Sequence, residues 1–327
     1  MFWLLKAGEI EVGFDGRTFG RGDLNVDGAG GKLGGVEFED YLGGSRTSPA
    51  HENAFPAHLS GLNFTCDRPD GIGVNAAVNS SMDNQQIVVV IPARYASARL
   101  PGKALVPLAG KPMIQHVWEH VRQAKRVARV IVATDDERIL HSVESFGGEA
   151  QMTRPDHRSG TERAAEVAAH VVGDIFVNVQ GDEPMIDPAV VDAAVETLLD
   201  EPAAALATVA TPIKHPADIL DPNVNKVVLD FDGNALYFSR APIPWVRDTD
   251  HRVHARYLKH LGLYAYQREA LLEFPTLPQG DLERLEQLEQ LRWLENGWKM
   301  RVGEVEYDSV SVDVPEDVAR VEKLLQK

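Results

Sequence analysis

Ile87-Val-Val-Val-Ile91, followed at once by Pro92-Ala-Arg94-Tyr-Ala-Ser-Ala-Arg99-Leu-Pro-Gly102-Lys103, is the stretch whose reading settles the fold. An unbroken β-branched run predicts a strand covered on both faces, because a half-exposed strand would alternate apolar with polar residues. The polar run behind it predicts a loop at the strand's carboxyl end. Beyond the loop, Pro112 suits the first position of a helix whose apolar face is Met113, Ile114, Val117, Trp118 and Val121. Residues 130–133 read as a second buried strand with a helix over 137–145 behind it. Further strands are expected at 149–153, 175–180 and 205–211, with helices around 161–171 and 188–199 between them. Strands alternating with helices predict an α/β fold, a doubly wound and mainly parallel sheet with right-handed crossovers. Ligands in such sheets bind outside the carboxyl ends of the strands, so those ends are where chemistry is sought.

Upstream the texture changes. Residues 1–86 hold 15 of the 27 glycines and show no sustained period of two or 3.6. The domain reading is therefore a Gly-rich extension over 1–86 and one domain over 87–327. Three readings of the extension stay open: translation starting at Met82, a flexible appendage, or a small domain carrying the six phenylalanines and Trp3 found there. Gly71-Ile-Gly73-Val-Asn-Ala76 fits a dinucleotide-binding pattern but lacks the strand before and helix after that the pattern requires. Asn63-Phe-Thr65 and Asn79-Ser-Ser81 are glycosylation sequons in form only, and residues 1–5 are too short for a signal-peptide core.

With 33 Lys+Arg against 49 Asp+Glu, the net charge of −16 argues against nucleic-acid or polybasic membrane binding. A single cysteine, Cys66, excludes an intrachain disulfide framework and a cysteine-ligated zinc site. No apolar run approaches the roughly 20 residues of a membrane span. The expectation is a soluble cytoplasmic protein.

Against that acidity, residues 82–103 carry Asp83, Arg94, Arg99 and Lys103, a local net of +2. Three cations and a glycine directly after a buried strand suit a polyphosphate better than a merely solvated surface. The strand at 175–180 ends in Asn178-Val-Gln180-Gly-Asp182, where Asp182 can ligate a hard cation or simply stabilise the turn before the next helix. Asp313, just outside a helix that Pro315 begins and Val314 caps poorly, is either a second ligand or a helix-dipole partner. Two distant aspartates and a cationic loop point to metal-assisted phosphoryl or nucleotidyl transfer.

The string 91–103 resembles the nucleotide loop of the CMP-Kdo synthetases, the 3-deoxy-manno-octulosonate cytidylyltransferases. The resemblance continues through Gly110-Lys-Pro-Met-Ile114, Val132-Ala-Thr-Asp135, Ser159-Gly-Thr-Glu-Arg163, Asn178-Val-Gln-Gly-Asp-Glu-Pro-Met185 and Lys226-Val-Val-Leu229. Ala235-Leu-Tyr-Phe-Ser-Arg240, Lys259-His-Leu-Gly-Leu-Tyr264, Leu288-Glu-Gln-Leu-Arg292 and Val312-Asp-Val-Pro-Glu-Asp317 complete it in family order. It implies a nucleotidyltransferase-type sheet with a smaller acceptor-binding lobe. It also implies transfer of CMP from CTP to Kdo, an acidic eight-carbon keto sugar, for lipopolysaccharide biosynthesis.

By resemblance, Arg94 and Lys103 are catalytic cations that, with Arg99, hold the triphosphate, and Asp182 and Asp313 hold Mg²⁺. Ser159, Gly160, Thr161, Arg163 and Gln180 lie by the nucleotide, and Ser159-Gly-Thr-Glu-Arg163 also reads as a helix start. Arg240, His260, Glu289 and Gln290 are the implied sugar contacts, and a homodimer is implied, with Pro242-Ile-Pro-Trp245 as a candidate interface. Residues 281–295 are read as one helix with Leu282, Leu285, Leu288, Leu291 and Leu294 as core, leaving Glu283 and Glu286 on the solvated face. Val314 and Gly280-Asp281 depart from the family pattern and bear on sugar specificity.

Two rivals remain. His116-Val-Trp-Glu119-His120 matches a zinc-peptidase signature, though its helix also presents a core face and no third ligand is apparent. Cytidylyl transfer to sialic acid is the nearer alternative, and a noncatalytic nucleotide-binding regulator is a third.

Overall fold

A computed structural model describes residues 85–97, 100–201, 203–247, 255–308 and 310–326, together with the backbone of short strands between Phe2 and Ala77. The chain divides into two units, Met1–Asp83 and Asn84–Lys327. In the first, Phe2–Lys6, Glu9–Phe14 and Arg17–Asp23 pair antiparallel. The readings of residues 1–86 otherwise fall outside the described residues, and so does Arg99.

The second unit is built on strands β1 (Ile87–Ala93), β2 (Arg129–Thr134), β3 (Glu149–Met152), β4 (Ile175–Asn178), β5 (Leu206–Pro212), β6 (Lys226–Leu229), β7 (Ala235–Ser239), β8 (Leu258–Gln267) and β9 (Met300–Glu304). They form one sheet in the order β3-β2-β1-β4-β8-β5-β9, with the β6–β7 hairpin attached through β6 to β8. β2 and β4 run parallel to β1, and β3 runs parallel to β2. β8 is antiparallel to both β4 and β5, so the five strands expected from periodicity share one direction with a reversed strand inserted among them. Through β6 the hairpin is continuous with the sheet, and residues 84–327 form one compact unit with no separate lobe.

Helices α1 (Met113–Val121), α2 (Glu137–Ser145), α3 (Gly160–His170), α4 (Pro188–Leu199), α5 (Pro216–Leu220), α6 (Arg268–Glu273), α7 (Asp281–Glu286), α8 (Leu291–Glu295) and α9 (Pro315–Leu325) complete the unit. β1 explains the two layers. Ile87, Val89 and Ile91 pack with residues of α1, α2 and α4 on one face, while Val88 and Val90 pack with α3 and α6 on the other. Each of these side chains is buried, worth about 1.5–3 kcal/mol apiece relative to exposure. Pro112 falls one place earlier than expected, at the N-cap of α1.

The helix expected over 281–295 is two helices, because Gln287 adopts φ 54 and ends α7. Leucines every three residues precess by about 60° per step around a helix, so one straight helix cannot bury all five. The break turns Leu288 and Leu291 into the core and leaves Leu282 and Leu285 outside, at 39% and 81% exposure. It also corrects the two glutamates assigned to solvent. Glu283 is buried against Arg292, and Glu286 accepts from Ser239 Oγ at 2.6 Å and Arg240 N–H at 2.9 Å.

Candidate active site

A cleft of about 330 Å³ opens at the carboxyl ends of β1 and β4, where the switch-point rule places it. Its walls come from Pro92–Arg94, Ser97 and Lys103 on the β1 side, His157–Gly160 at the start of α3, and Gln180–Asp182 after β4. Asp313 closes one end.

The cationic loop after β1 is folded back by Gly102, whose N–H donates to the Tyr95 carbonyl at 3.0 Å. Gly102 sits at φ 67, a left-handed conformation that glycine adopts without strain, over the Tyr95 ring. Arg138 covers that ring, its guanidinium carbon 3.3 Å from the centroid. The turn aims Lys103 inward. Its Nζ donates to Asp182 Oδ2 at 2.6 Å and to Asp313 Oδ1 at 3.0 Å.

The two aspartates, far apart in sequence, are brought together by the Val312 N–H, which donates to the Asp182 carbonyl at 2.9 Å. Asp182 is not the cap of α4; Asp187 takes that role, accepting from Ala189 N–H at 2.9 Å. At α9, Val314 is the N-cap as expected and offers no side-chain acceptor, while Asp317 ties the chain entering the helix by accepting from Asp313 and Val314 N–H at 2.9 and 3.1 Å. Gly181 is required where it stands: a Cβ there would meet the Pro92 carbonyl at 2.9 Å. Behind Asp182, Glu183 is half-buried, and burial, reinforced by the Asp182 charge, pushes its carboxyl up to about 7.

Ser159 caps α3, its Oγ accepting from Glu162 N–H at 3.1 Å, so the helix-start and cleft-wall readings hold together. Gly160 packs against Pro92 and Asn178. Thr161 is buried and donates to the Glu289 carboxylate. Arg163 lines the cleft although its side chain is only 4% exposed, paired with Asp135 at 3.2 Å and hydrogen-bonded to Thr153. Gln180 also lines it, lying over Gly262 of β8. Arg94 lies exposed at the mouth.

Sequence reasoning missed Ser97, His157 and Arg158, which also line the cleft. His157 is held by Glu166, and Arg158 by Glu162, with Nη2 to Oε1 at 2.9 Å. The available signal was position: the latter two lie in the loop beyond β3, another parallel strand, immediately before the Ser159 helix start.

The four implied sugar contacts lie outside the lining of this cleft. Arg240 is engaged with backbone carbonyls, Nε on Glu286 at 2.7 Å, Nη1 on Pro222 at 2.9 Å and Nη2 on Gln287 at 3.3 Å. His260 is buried beside Phe238 and Tyr264, and burial depresses it to about 3, so the ring is neutral. Thr208 gives its hydroxyl proton to the Leu263 carbonyl at 2.7 Å, so its oxygen accepts from His260 Nε2–H at 2.9 Å. Glu289 reaches α3 through Thr161, and burial holds its carboxyl above the usual range despite bonds from Ser159 and Thr161. Gln290 is buried next to it.

The zinc reading of His116 and His120 fails on geometry. His116 Nε2 bonds the Leu108 carbonyl at 2.8 Å, and His120 Nδ1 bonds that of Ile186 at 2.9 Å. Among the described residues, no three His, Cys, Asp or Glu side chains are grouped to hold a metal. Asp182 and Asp313 present a different donor set: two hard carboxylates converging on a single cation, the Lys103 ammonium. Two carboxylates completed by phosphate oxygens and water fit Mg²⁺ and do not make a zinc site.

The Cytidylyltransferase family model matches residues 88–302. A 3-deoxy-manno-octulosonate cytidylyltransferase from Solibacter usitatus is 52% identical over 242 residues, covering 74% of this chain and 95% of the relative. One from Geobacter sulfurreducens is 49% identical over 249 residues, covering 74% and 98%. A solved CMP:2-keto-3-deoxy-manno-octonic acid synthetase complexed with CTP is 47% identical, with a TM-score of 0.70 over 74% of this chain and 98% of its own. A 4-diphosphocytidyl-2C-methyl-D-erythritol synthase from Anaerococcus prevotii, 13% identical with a TM-score of 0.53 over 76% of this chain and 100% of its own, shares the fold. Both the matched span and the cleft belong to the second unit, and at these identities over nearly whole relatives the chain is a member of the 3-deoxy-manno-octulosonate cytidylyltransferase family.

Proposed function

We propose that Asp182 and Asp313 serve CMP transfer from CTP to Kdo by holding Mg²⁺ at the end of the cleft, with Lys103 and Arg94 on the triphosphate. The chain is a CTP-dependent nucleotidyltransferase acting on Kdo. The observation that carries the site assignment is the convergence of both carboxylates and Lys103 at one end of a cleft whose other walls are cationic.

The anomeric hydroxyl oxygen of the sugar forms a bond to the α-phosphorus in line with the departing group. The bond from that phosphorus to the bridging oxygen breaks, and pyrophosphate leaves with the electron pair. Arg94 and Lys103 neutralise the charge that grows on pyrophosphate, the term that usually contributes most to such a reaction. Ser159 and Gly160, fixed at the α3 N-terminus, form the opposite wall, where unpaired helix N–H groups favour an anion. Gln180 offers an amide to orient the attacking hydroxyl. Asp182 and Asp313 would hold Mg²⁺, which would neutralise phosphate charge and lower the pKa of the sugar hydroxyl, whose proton would pass to solvent as its oxygen bonds to phosphorus.

Pyrophosphate release from CTP and Mg²⁺ tests this reading, with Kdo or sialic acid as acceptor, using residues 1–327 and 82–327. Kdo-dependent release from both is expected; release with sialic acid alone, or with neither sugar, overturns the assignment. The same reading places the enzyme in the cytoplasm as a homodimer. A monomer in sedimentation velocity at assay concentration would remove the dimer.

A further inference from the structure

Lys226 is the most deeply buried lysine among the described residues, at 0% exposure. Its Nζ donates to the carbonyls of Asp221 at 2.9 Å and Val224 at 2.6 Å, and also to that of Arg240. All three ammonium protons are therefore spent on backbone oxygens. A buried charge held only by carbonyl dipoles is costly, and a methionine would fill the same volume without that cost. The placement makes sense if the charge holds something that the fold alone would leave loose.

What it holds is the end of β7. From there Arg240 spreads over the break between α7 and α8. Its N–H donates to Glu286 Oε2 at 2.9 Å, while Nε and Nη2 take the carbonyls of Glu286 and Gln287. These are the acceptors a helix leaves unsatisfied where it stops, and Gln287 stops this one in the left-handed region. Ser239 Oγ fixes the second oxygen of Glu286 at 2.6 Å. Lys226, Arg240 and Glu286 thus form one clamp that sets how the chain leaves α7.

The residues leaving it are Leu288, Glu289 and Gln290. Leu288 anchors in the core. The Glu289 carboxylate accepts from Thr161 at Oε1 and is also bonded by Ser159, while its buried Oε2 and the buried Gln290 Nε2 are left over. An unfilled acceptor and an unfilled donor on adjacent residues match a ligand bearing hydroxyl groups. Glu289 stands against α3, whose first residues wall the cleft.

We propose that Lys226 is a positioning residue for the acceptor sugar: through the Arg240–Glu286 clamp on the Gln287 break, it fixes where Glu289 and Gln290 present their free polar atoms. The clamp residues Lys226, Arg240 and Glu286 are not among the residues that line the cleft, which the positioned segment meets only where Glu289 bonds Ser159 and Thr161 at the start of α3. The role rests on the proposed function, since it assigns the acceptor side of that same reaction.

The test is initial-rate kinetics of pyrophosphate release, varying Kdo and CTP separately, for wild type, Lys226→Met and Glu286→Gln. The KM for Kdo is expected to rise tenfold or more in both variants, with the KM for CTP within twofold of wild type. A lower kcat with both KM values unchanged is what a partly unfolded sample gives, and it overturns the proposal; so does a rise in the two KM values together. If Lys226→Met does not fold, Glu286→Gln decides, because it keeps the side chain's shape and weakens only the clamp. A wild-type enzyme that releases no pyrophosphate with Kdo defeats the function itself, and the acceptor role with it.

Discussion

Asp182→Asn is expected to lower kcat by about a thousandfold or more while CTP affinity stays within a few-fold, since loss of a dominant electrostatic group typically costs 10²–10³ and a metal ligand at least as much. Asparagine keeps the volume and one oxygen, so the side chain still fits between Lys103 and the cleft. The bond that assembles the site, Val312 N–H to the Asp182 carbonyl at 2.9 Å, belongs to the backbone and survives the exchange. What is lost is one of the two negative charges facing Lys103 Nζ, at 2.6 and 3.0 Å. Binding of CTP by calorimetry and turnover by pyrophosphate release separate the two effects. Turnover within tenfold of wild type would remove Asp182 from the metal role and leave it a turn residue.

The same pair of aspartates shows where sequence stops being legible. Each could be picked as a candidate because it lies just outside a strand or a helix, but each also had a plainer reading as a cap or dipole partner. Only the chain path joining Val312 to Asp182 brings the two carboxylates together, and no local pattern encodes that path. Strands β1 and β2 were readable because burial on both faces demands uninterrupted β-branched residues. The reversal of β8 between β4 and β5 was not, since an apolar run carries no sign of its direction. Global charge misleads in the same way. A net of −16 says nothing about a cleft where Arg94, Lys103, Arg158 and Arg163 meet Asp182 and Asp313.

The break in the segment 281–295 is hidden from the sequence for a physical reason. Glutamates and arginines spaced along a leucine-bearing helix look solvated, and the sequence holds no mark that distinguishes a surface pair from a buried one. Arg292 is 2% exposed, with Nε and Nη2 on the Glu283 carboxylate at 2.8 and 2.7 Å and its guanidinium carbon 4.3 Å from the Phe274 ring centroid. Its Nη1 is 3.7 Å from Glu162 of α3, so the pair also ties the broken helix to the wall of the cleft.

Glu283→Leu should therefore destabilise the enzyme far more than loss of a surface ion pair, which is worth about 0–1 kcal/mol. Removing one partner of a buried pair leaves the other charge uncompensated and costs about 3–5 kcal/mol. At about 2–4 °C per kcal/mol for a domain of this size, the melting midpoint should fall by roughly 6–20 °C. Near-ultraviolet circular dichroism measures it, and a fall below about 2 °C would show Arg292 finding a sufficient partner in Glu162. The double variant Glu283→Leu/Arg292→Met decides why the pair is there. Well-packed apolar replacements of a buried ion pair are often neutral or stabilising, so its midpoint should return most of the way to wild type. If the KM for Kdo is raised in that restored protein, the charges serve to place Glu289 and Gln290 rather than to hold the fold. If stability returns and the KM for Kdo equals that of wild type, the pair is packing with a charge on it, and the position of Glu289 and Gln290 is set by the Arg240 clamp.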